Sequence, residues 1–251
     1  MRVSVCMASY NGEKYIKKQI ESIIIQLSSD DEIIISDDGS IDNTINIIEG
    51  FKDSRIKVFN NQSLRKNRKS LIERFRSATK NFENALKNAS GEFIFLSDQD
   101  DIWLDNRVEI TLQYLKECDL VVSDYSFIDE NDNPVAEIFN KRNKTKGFIS
   151  NLITTPYIGC GMAFSKKILI NSLPFPKNLF AHDLWIGFIA QYSGKVLFID
   201  HKLFLHRRHG QNTSYSFERS KNSLLFKLSY RLDFMIKFFI RYAQLLFKKN
   251  R

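Results

Sequence analysis

Short β-branched runs alternate with stretches of helical periodicity through the first half of the chain, and this alternation constrains the fold more than any other feature. It is typical of consecutive βαβ units, which build a mostly parallel sheet flanked by helices. Ligands bind such sheets at the carboxyl ends of the strands. A chain of 251 residues fits one domain of this kind. The predicted strands are residues 3–7, 32–36, 55–59, 92–96 and 119–123, and the predicted helices are residues 14–26, 44–51, 71–88 and 107–116.

Acidic residues follow three of these predicted strands. Asp37 and Asp38 come after the second strand, three carboxylates come after the fourth, and Asp124 comes after the fifth. Carboxylates gathered at one sheet edge repel one another, and a divalent cation with oxygen ligands is the usual remedy. Aspartate is also a common turn and helix-capping residue, so both interpretations stay open for the first cluster. The metal interpretation is favoured for the cluster formed by Asp98, Asp100 and Asp101.

The net charge of +8 is concentrated at the end of the chain. Residues 219–251 hold nine Lys and Arg against one acid, which leaves 28 charges of each sign in residues 1–218. The body is therefore neutral, and its composition gives no support to nucleic acid as a partner. The charge pattern divides the chain into a domain at 1–218 and a basic tail at 219–251.

Other patterns narrow the class of protein. Three widely spaced cysteines argue against a disulfide framework and against a thiolate metal site. The sequence opens without a secretory signal and contains no run of about 18 apolar residues, so we expect a cytoplasmic protein. It has neither a P-loop nor a GxGxxG motif after a strand. A nucleotide ligand would therefore be held through carboxylates and a metal ion.

Five segments together resemble the family 2 glycosyltransferases, which have the GT-A fold. They are VSVCMASYNG at 3–12, ISDDGSIDNT at 35–44, FLSDQDDIW at 95–103, AHDLW at 181–185 and RRHGQN at 207–212. The similarity covers residues 3–215 and is greatest to non-processive rhamnosyl- and hexosyltransferases of bacterial O-antigen and capsule synthesis. It implies one mostly parallel mixed sheet, with a nucleotide-binding half at 1–123 and an acceptor-binding half at 124–218.

The resemblance implies a nucleotide site at the ends of the first, second and fourth strands. Tyr10 would stack on the base, and Asp38 would accept the N–H of uracil or thymine. Asp98 would lie at the ribose. The implied nucleotide-binding residues are Ala8, Ser9, Tyr10, Asp38, Asp98 and Gln99.

The resemblance also implies a divalent metal, Mn²⁺ or Mg²⁺, that bridges the two phosphates of the donor. Asp100 and His209 are its implied ligands. Asp101, Arg207 and Arg208 would support the metal or the diphosphate. A second basic run at 65–69 could hold the diphosphate or an acidic acceptor, or it could be a solvated helix face.

An inverting transfer requires a base on the acceptor side, and the resemblance assigns this role to Asp183. The same residue could cap the helix that begins near Trp185. Most of the family has Glu-Asp at this position, whereas this chain has His182 before the aspartate. The implied acceptor-side residues are Gly159, Cys160, Gly161 and Trp185. No QxxRW motif follows, so we expect one sugar to be transferred per cycle.

The basic tail predicts a helix over 221–249 with five basic residues near one face. This pattern is typical of a helix on an anionic membrane surface, with partner binding and packing on its own domain as alternatives. The basic residues are Lys227, Arg231, Lys237, Arg241 and Lys248.

The function that follows from the resemblance is inverting, metal-dependent transfer from a UDP- or dTDP-sugar to a saccharide acceptor that is carried on a lipid. The first expected donor is dTDP-rhamnose, followed by UDP-galactose and UDP-glucose. The expected location is the inner face of the plasma membrane. A nucleotidyltransferase that makes the activated sugar and a non-catalytic membrane-associated scaffold are the alternatives.

Overall fold

Strands and helices alternate along the chain as the sequence pattern predicts. The computed structural model describes residues 1–61, 71–135, 147–210 and 224–249, and within these ranges the chain forms nine strands, eight α-helices and a short 3₁₀ helix at Gly159–Gly161. The strands are β1 (Val3–Ser9), β2 (Glu32–Asp37), β3 (Ile56–Asn60), β4 (Phe93–Asp98), β5 (Ile102–Trp103), β6 (Leu120–Ile128), β7 (Pro134–Val135), β8 (Met162–Ser165) and β9 (Val196–Arg207). The helices are α1 (Ile16–Ile24), α2 (Thr44–Glu49), α3 (Leu71–Lys87), α4 (Arg107–Leu115), α5 (Phe148–Ile153), α6 (Lys166–Ser172), α7 (His182–Ser193) and α8 (Leu224–Lys249).

The strands that the structure describes form one mixed sheet in the order β3-β2-β1-β4-β8-β6-β9-β5, with β7 beside β6. The first four strands pair in parallel, which confirms the βαβ units predicted for the first half of the chain. Their register places Ser9 opposite Asp37 and Ala8 opposite Asp98. The carboxyl ends of β1, β2 and β4 therefore meet at one edge of the sheet.

The second half of the sheet departs from the simple pattern. β8 runs antiparallel between β4 and β6, and β9 then pairs in parallel with β6. β6 extends beyond the predicted strand to Ile128, so Asp124 lies within a strand where the sequence analysis placed it at a strand end. The register of β6 against β9 shifts on both sides of this residue.

Apolar side chains at helical spacing fix α1 on the sheet. Ile16, Ile20 and Ile23 are buried in the core on one side of the sheet, whereas Lys17 and Lys18 of the same helix face solvent. This division is the amphipathic pattern expected of a surface helix. A second core on the opposite side of the sheet joins α3, α6, α7 and α8.

The tail helix α8 packs on the domain. Phe234 and Phe238 are buried against α7, where Phe188 lies 5.1 Å and 5.6 Å from their rings. Arg231 donates to the carbonyls of residues 152 and 153, and Arg241 donates to those of residues 171, 173 and 174. One face of α8 thus packs on the domain, which is one of the alternatives predicted for the tail.

Two expectations concern residues outside the described ranges. These are the boundary between residues 218 and 219 and the basic run at 65–69. In the ranges that the structure does describe, no helix combines the length and the apolar character needed to cross a membrane.

Candidate active site

A cleft of about 960 Å³ opens where β1, β2 and β4 end. Twelve of the sixteen predicted site residues line it, although they come from six separate segments of the sequence. These residues are Ala8, Ser9, Tyr10, Asp38, Asp98, Gln99, Asp100, Gly159, Cys160, Asp183, Arg208 and His209.

The two aspartates at the end of β2 have different surroundings. Asp37 accepts hydrogen bonds from Ser9 Oγ (2.9 Å), from the backbone N–H of Ser40 (2.7 Å) and from Ser40 Oγ (2.6 Å). It organises the turn, as the turn interpretation of this cluster predicts. Asp38 lines the cleft instead, and Ser77 Oγ of α3 donates to its Oδ2.

The loop after β1 is held by the side chain of Gln99. The Gln99 carbonyl oxygen accepts from the Tyr10 backbone N–H (2.8 Å), and its amide nitrogen donates to the Tyr10 carbonyl (3.0 Å). A Cβ on Gly12 would lie 2.3 Å from Gln99 Oε1, so a larger residue here would displace this amide from its position. Gln99 thus shapes the loop through two backbone bonds, while the Tyr10 ring stays 40% exposed at the cleft.

The carboxylates after β4 form a cluster of like charges. Burial and the nearby carboxylates of Asp101 and Asp100 raise the pKa of Asp98 to about 8. Asp100 lies beside a histidine, with its Oδ2 2.8 Å from His209 Nε2. Carboxylate oxygen with imidazole nitrogen is a donor set that suits a divalent ion such as Mn²⁺.

Asp101 points away from the cleft and pairs with His206. Its Oδ1 lies 2.8 Å from His206 Nδ1 and accepts from the Arg207 backbone N–H at 3.1 Å. Burial opposes ionisation of both side chains, but their mutual attraction prevails, so the pKa of Asp101 is lowered and that of His206 is raised. Cys160 Sγ lies 3.9 Å from the same histidine nitrogen. Ligand atoms of these three residues all lie within 4.8 Å of one another, which makes them a second possible metal group among the described residues.

Arg207 was predicted to support either the metal or the diphosphate, and it contacts the backbone of the proposed metal ligand Asp100. Its guanidinium is buried behind the cluster, where Nε donates to the Asp100 carbonyl (2.8 Å) and one terminal nitrogen contacts Asp132 (2.5 Å). The ring of Tyr15 lies 4.6 Å away. Arg207 therefore holds the backbone of Asp100 in place, whereas the next residue, Arg208, lines the cleft.

Asp183 lies in the first turn of α7 and lines the cleft. The N-cap of the helix is Ala181, and the Asp183 carboxylate accepts from the next backbone N–H, that of Leu184 (2.7 Å). Asp183 is therefore not the N-cap of α7, although its carboxylate does bind a backbone N–H of the first turn. His182 stacks on Phe82 with ring centroids 4.0 Å apart, and burial lowers its pKa.

Two predicted acceptor-side residues lie outside the cleft lining. Trp185 is fully buried in the core, and its indole N–H donates to the Ser172 carbonyl (3.0 Å). Gly161 is packed against the Ser123 carbonyl and the Phe204 ring. Gly159 and Cys160 do line the cleft, and a Cβ on Gly159 would lie 2.9 Å from His182 Nε2.

Helices contribute cleft residues that the sequence pattern did not predict. Arg74, Ser77 and Asn81 of α3 line the cleft at helical spacing, and Asn81 Nδ2 donates to the Ser9 carbonyl (3.0 Å). Tyr230 of α8 reaches the cleft from the tail and stacks on Phe180 with centroids 5.3 Å apart. Arg74, Ser77 and Asn81 recur on one face of α3. This polar pattern could have indicated that the face lines a site and does not pack in the apolar core.

Sequence comparison places the chain in a family. The family described as Glycosyl transferase family 2 matches residues 4–173, and the chain belongs to it. The Escherichia coli UDP-Glc:alpha-D-GlcNAc-diphosphoundecaprenol beta-1,3-glucosyltransferase WfgD is 32% identical over 193 residues, which are 74% of this chain and 69% of WfgD. The dTDP-rhamnosyl transferase RfbG of Shigella flexneri is 29% identical over 217 residues, 82% of this chain and 72% of RfbG.

Comparison with solved structures confirms the predicted GT-A fold. The crystal structure of S. aureus TarS 1-349 in complex with UDP-GlcNAc superposes with a TM-score of 0.65 at 22% identity. The match covers 87% of this chain and 62% of the TarS chain, so the chain spans less than two thirds of this neighbour. Together these findings identify a family 2 glycosyltransferase that uses a nucleotide-sugar.

Proposed function

We propose that the protein transfers one sugar, with inversion, from a pyrimidine nucleoside diphosphate sugar to a saccharide acceptor. One observation carries the proposal: a single cleft gathers the base-side Asp38, the metal-side Asp100 and His209, and the acceptor-side Asp183. These are the groups that such a transfer requires, and they come from distant parts of the sequence.

The nucleobase would lie beside Tyr10 and Asp38. The exposed Tyr10 ring offers a stacking surface. The buried Asp38 carboxylate can accept the imide N–H that uracil and thymine share, and Ser77 holds it in place. This pair distinguishes pyrimidine from purine donors but does not separate UDP from dTDP.

The identity of the donor sugar is a more specific proposal than the class of nucleotide. RfbG, a dTDP-rhamnosyl transferase by name, supports dTDP-rhamnose as the first donor to test. WfgD is named for UDP-Glc, and TarS was solved with UDP-GlcNAc, so UDP-sugars come next.

The carboxylate cluster fits a divalent ion. Burial and the neighbouring carboxylates raise the pKa of Asp98, and Asp100 with His209 supplies oxygen and nitrogen donors beside it. We propose that Asp100 and His209 hold Mn²⁺ or Mg²⁺. The ion would supply positive charge to the departing nucleoside diphosphate. Arg207 and Asp101 keep the Asp100 backbone in position through the hydrogen bonds described above.

Asp183 would act as the general base. The acceptor hydroxyl oxygen forms a bond to the anomeric carbon as the bond from that carbon to the diphosphate oxygen breaks, and the hydroxyl proton passes to the Asp183 carboxylate. Attack from the face opposite the leaving group inverts the anomeric centre. The helix turn and the Leu184 N–H fix the carboxylate for this role.

The acceptor is proposed to be a saccharide carried on a lipid diphosphate. WfgD acts by name on a diphosphoundecaprenol-linked acceptor, which supports this class. Such acceptors lie in a membrane, so the enzyme would work peripherally at the inner face of the plasma membrane.

Release of nucleoside diphosphate from a panel of sugar nucleotides, with and without Mn²⁺, tests the proposal. We expect UDP- or dTDP-sugars to be turned over, ADP- and GDP-sugars to be poor donors, and Asp100→Asn to abolish the Mn²⁺-dependent part. Activity that persists unchanged in excess EDTA would contradict the proposed dependence on a divalent metal ion. Formation of nucleoside triphosphate from pyrophosphate and the sugar nucleotide would instead indicate a nucleotidyltransferase.

A further inference from the structure

The charged and apolar residues of α8 are distributed in the opposite way to that expected for an electrostatic membrane anchor. Arg231 and Arg241 turn toward the domain and bind backbone carbonyls, as described above. Lys237 pairs with Asp233 one helical turn away. The two arginines therefore stabilise the packing of α8 on the domain and Lys237 is paired within the helix, so three of the five predicted cations are engaged within the protein.

The opposite side of α8 is apolar and exposed. Six large side chains on this side are between 54% and 75% exposed. They recur at spacings of three, four and seven residues, which places them on one stripe of the helix. They are Leu228, Leu232, Ile236, Phe239, Ile240 and Phe247. Because the inner side of α8 is also apolar, the helix carries apolar side chains on two sides, one packed on the domain and one exposed, as expected for a helix with a second apolar environment.

The short helix α5 extends this surface toward the cleft. Phe148 of α5 stacks on Phe239 with centroids 5.4 Å apart, and Ile149 and Ile153 are 62% and 56% exposed. Ile153 also lines the active-site cleft, as does Tyr230 of α8. We name the exposed stripe of α8 together with Ile149 and Ile153 the outer apolar face. It is continuous with the mouth of the cleft.

We infer that the outer apolar face inserts into the interfacial region of a lipid bilayer and so places the cleft mouth at the membrane surface. This inference rests on the proposed function, since a lipid-linked acceptor keeps its hydrocarbon chain in the bilayer while its sugar must reach the cleft. Ile153 belongs to both surfaces, so a bilayer seated on the face lies directly beside the cleft. A lipid-linked acceptor would bring its sugar to the cleft from this side, so lipid is the occupant that the position of the face favours.

Insertion of an apolar face predicts a binding mode that differs from the one expected from the basic tail. Affinity would come from buried hydrocarbon area and would be present with zwitterionic lipid. It would also change little with salt, because screening acts on charges and not on apolar burial. An anchor made of exposed lysines would show the reverse behaviour on both counts.

Co-sedimentation of the full chain with phosphatidylcholine vesicles, at low and high salt, tests the inference. We expect the wild type to bind at both salt concentrations and Leu232→Glu/Ile236→Glu to bind at least about tenfold more weakly, since two side chains no longer enter the apolar region. Leu232→Ser/Ile236→Ser is a milder second variant if the first is poorly folded. Ile25→Glu/Val58→Glu, at exposed apolar positions on α1's end and β3, is the matched control and should bind as the wild type does.

Two further readouts separate this inference from the proposed function and from self-association. Donor hydrolysis in solution should be unchanged in the Leu232/Ile236 variants, so loss of vesicle binding with normal hydrolysis supports the inference. The inference would be overturned if the wild-type protein did not bind phosphatidylcholine vesicles, or if the variants bound them as well as the wild type does. A wild-type dimer that the same variants convert to monomer in sedimentation velocity, without vesicle binding, would assign the face to a second copy.

Discussion

His209 Nε2 lies 2.8 Å from Asp100 Oδ2, although 109 residues separate the two in sequence. The contact joins the turn after β4 to the segment that follows β9. Tyr15 packs on the histidine ring with centroids 4.9 Å apart and orients it toward the carboxylate. The third and the fifth of the five sequence motifs thus meet at one point of the cleft.

We expect His209→Ala to raise the Mn²⁺ concentration needed for half-maximal activity by on the order of tenfold or more, because one of two proposed ligands is lost. A Mn²⁺ titration of donor hydrolysis measures this. His201→Ala is the matched control, since His201 is an exposed histidine of β9 away from the cleft. An unchanged Mn²⁺ requirement in His209→Ala would remove this residue from the metal site.

We expect Asp183→Asn to lower transfer by about 10²-fold or more, the typical contribution of a positioned general base. Donor affinity should be nearly unchanged, because the base acts on the acceptor hydroxyl and the proposed metal ligands lie on other elements. The measurement compares transfer rate with donor affinity in one variant. Near-normal transfer would show that Asp183 serves only the first turn of α7.

The aspartates at the end of β2 provide a matched pair. Asp38→Ala should weaken UDP or dTDP binding by roughly 1–3 kcal/mol, since the imide donor would lose its partner. Asp37→Ala should instead lower the melting temperature, because Ser9 and Ser40 lose their shared acceptor. Calorimetric titration and thermal unfolding of both variants check the contrast. Equal nucleotide affinity in Asp38→Ala and wild type would contradict the base-binding role.

The strand–helix alternation predicted that the ends of β1, β2 and β4 meet at one edge of the sheet, whereas the individual site residues were implied by the family resemblance. Neither source indicates in which direction a side chain points. Arg207 follows His206 in β9, and successive strand residues face opposite sides, so one lines the cleft and the other is buried behind it. Trp185 is two residues beyond Asp183 on α7, about 200° around the helix, and it faces the core.

Sequence pattern did not predict the contacts between elements that are distant along the chain. The insertion of β8 between β4 and β6 depends on the whole sheet, and no local feature of residues 162–165 specifies its neighbours. Tyr230 enters the cleft only because α8 returns to pack on α7. The charge of the tail indicated a surface role, whereas the structure uses two of its arginines for internal packing.

Adjacent phenylalanines of α8 test whether the tail is part of the fold. Phe238 is 1% exposed in the core and Phe239 is 55% exposed on the outer apolar face. Phe238→Ala should cost about 3–5 kcal/mol of unfolding free energy, as expected for a buried phenylalanine. Phe239→Ala should cost under about 1 kcal/mol, since most of its ring is in solvent. Urea unfolding of both variants measures the difference, and equal stabilities would mean that α8 contributes nothing to the core.

Glu32, at the start of β2 and far from the cleft, predicts how stability depends on pH. Its carboxylate is buried and accepts hydrogen bonds from Ser4 Oγ (2.6 Å), Ser90 Oγ (2.6 Å) and Lys57 Nζ (2.7 Å). Burial alone would raise the pKa of Glu32, but these hydrogen bonds prevail and lower it from 4.5 to about 2.

Because the folded-state pKa of Glu32 is the lower one, the unfolded chain binds the extra proton first as the pH falls, and the folded state loses relative stability. The stabilisation is complete above pH 4.5 and disappears as the pH falls through about 2. Glu32→Gln should therefore lose roughly 1–3 kcal/mol of unfolding free energy at pH 7, the usual effect of removing a buried hydrogen-bonded charge. The deficit should shrink steadily below pH 4.5. Urea unfolding across this range, with the exposed Glu49→Gln as the control, measures it. A deficit that stays constant with pH would show that packing, and not the charge of Glu32, holds the amino-terminal ends of β1 and β2 together.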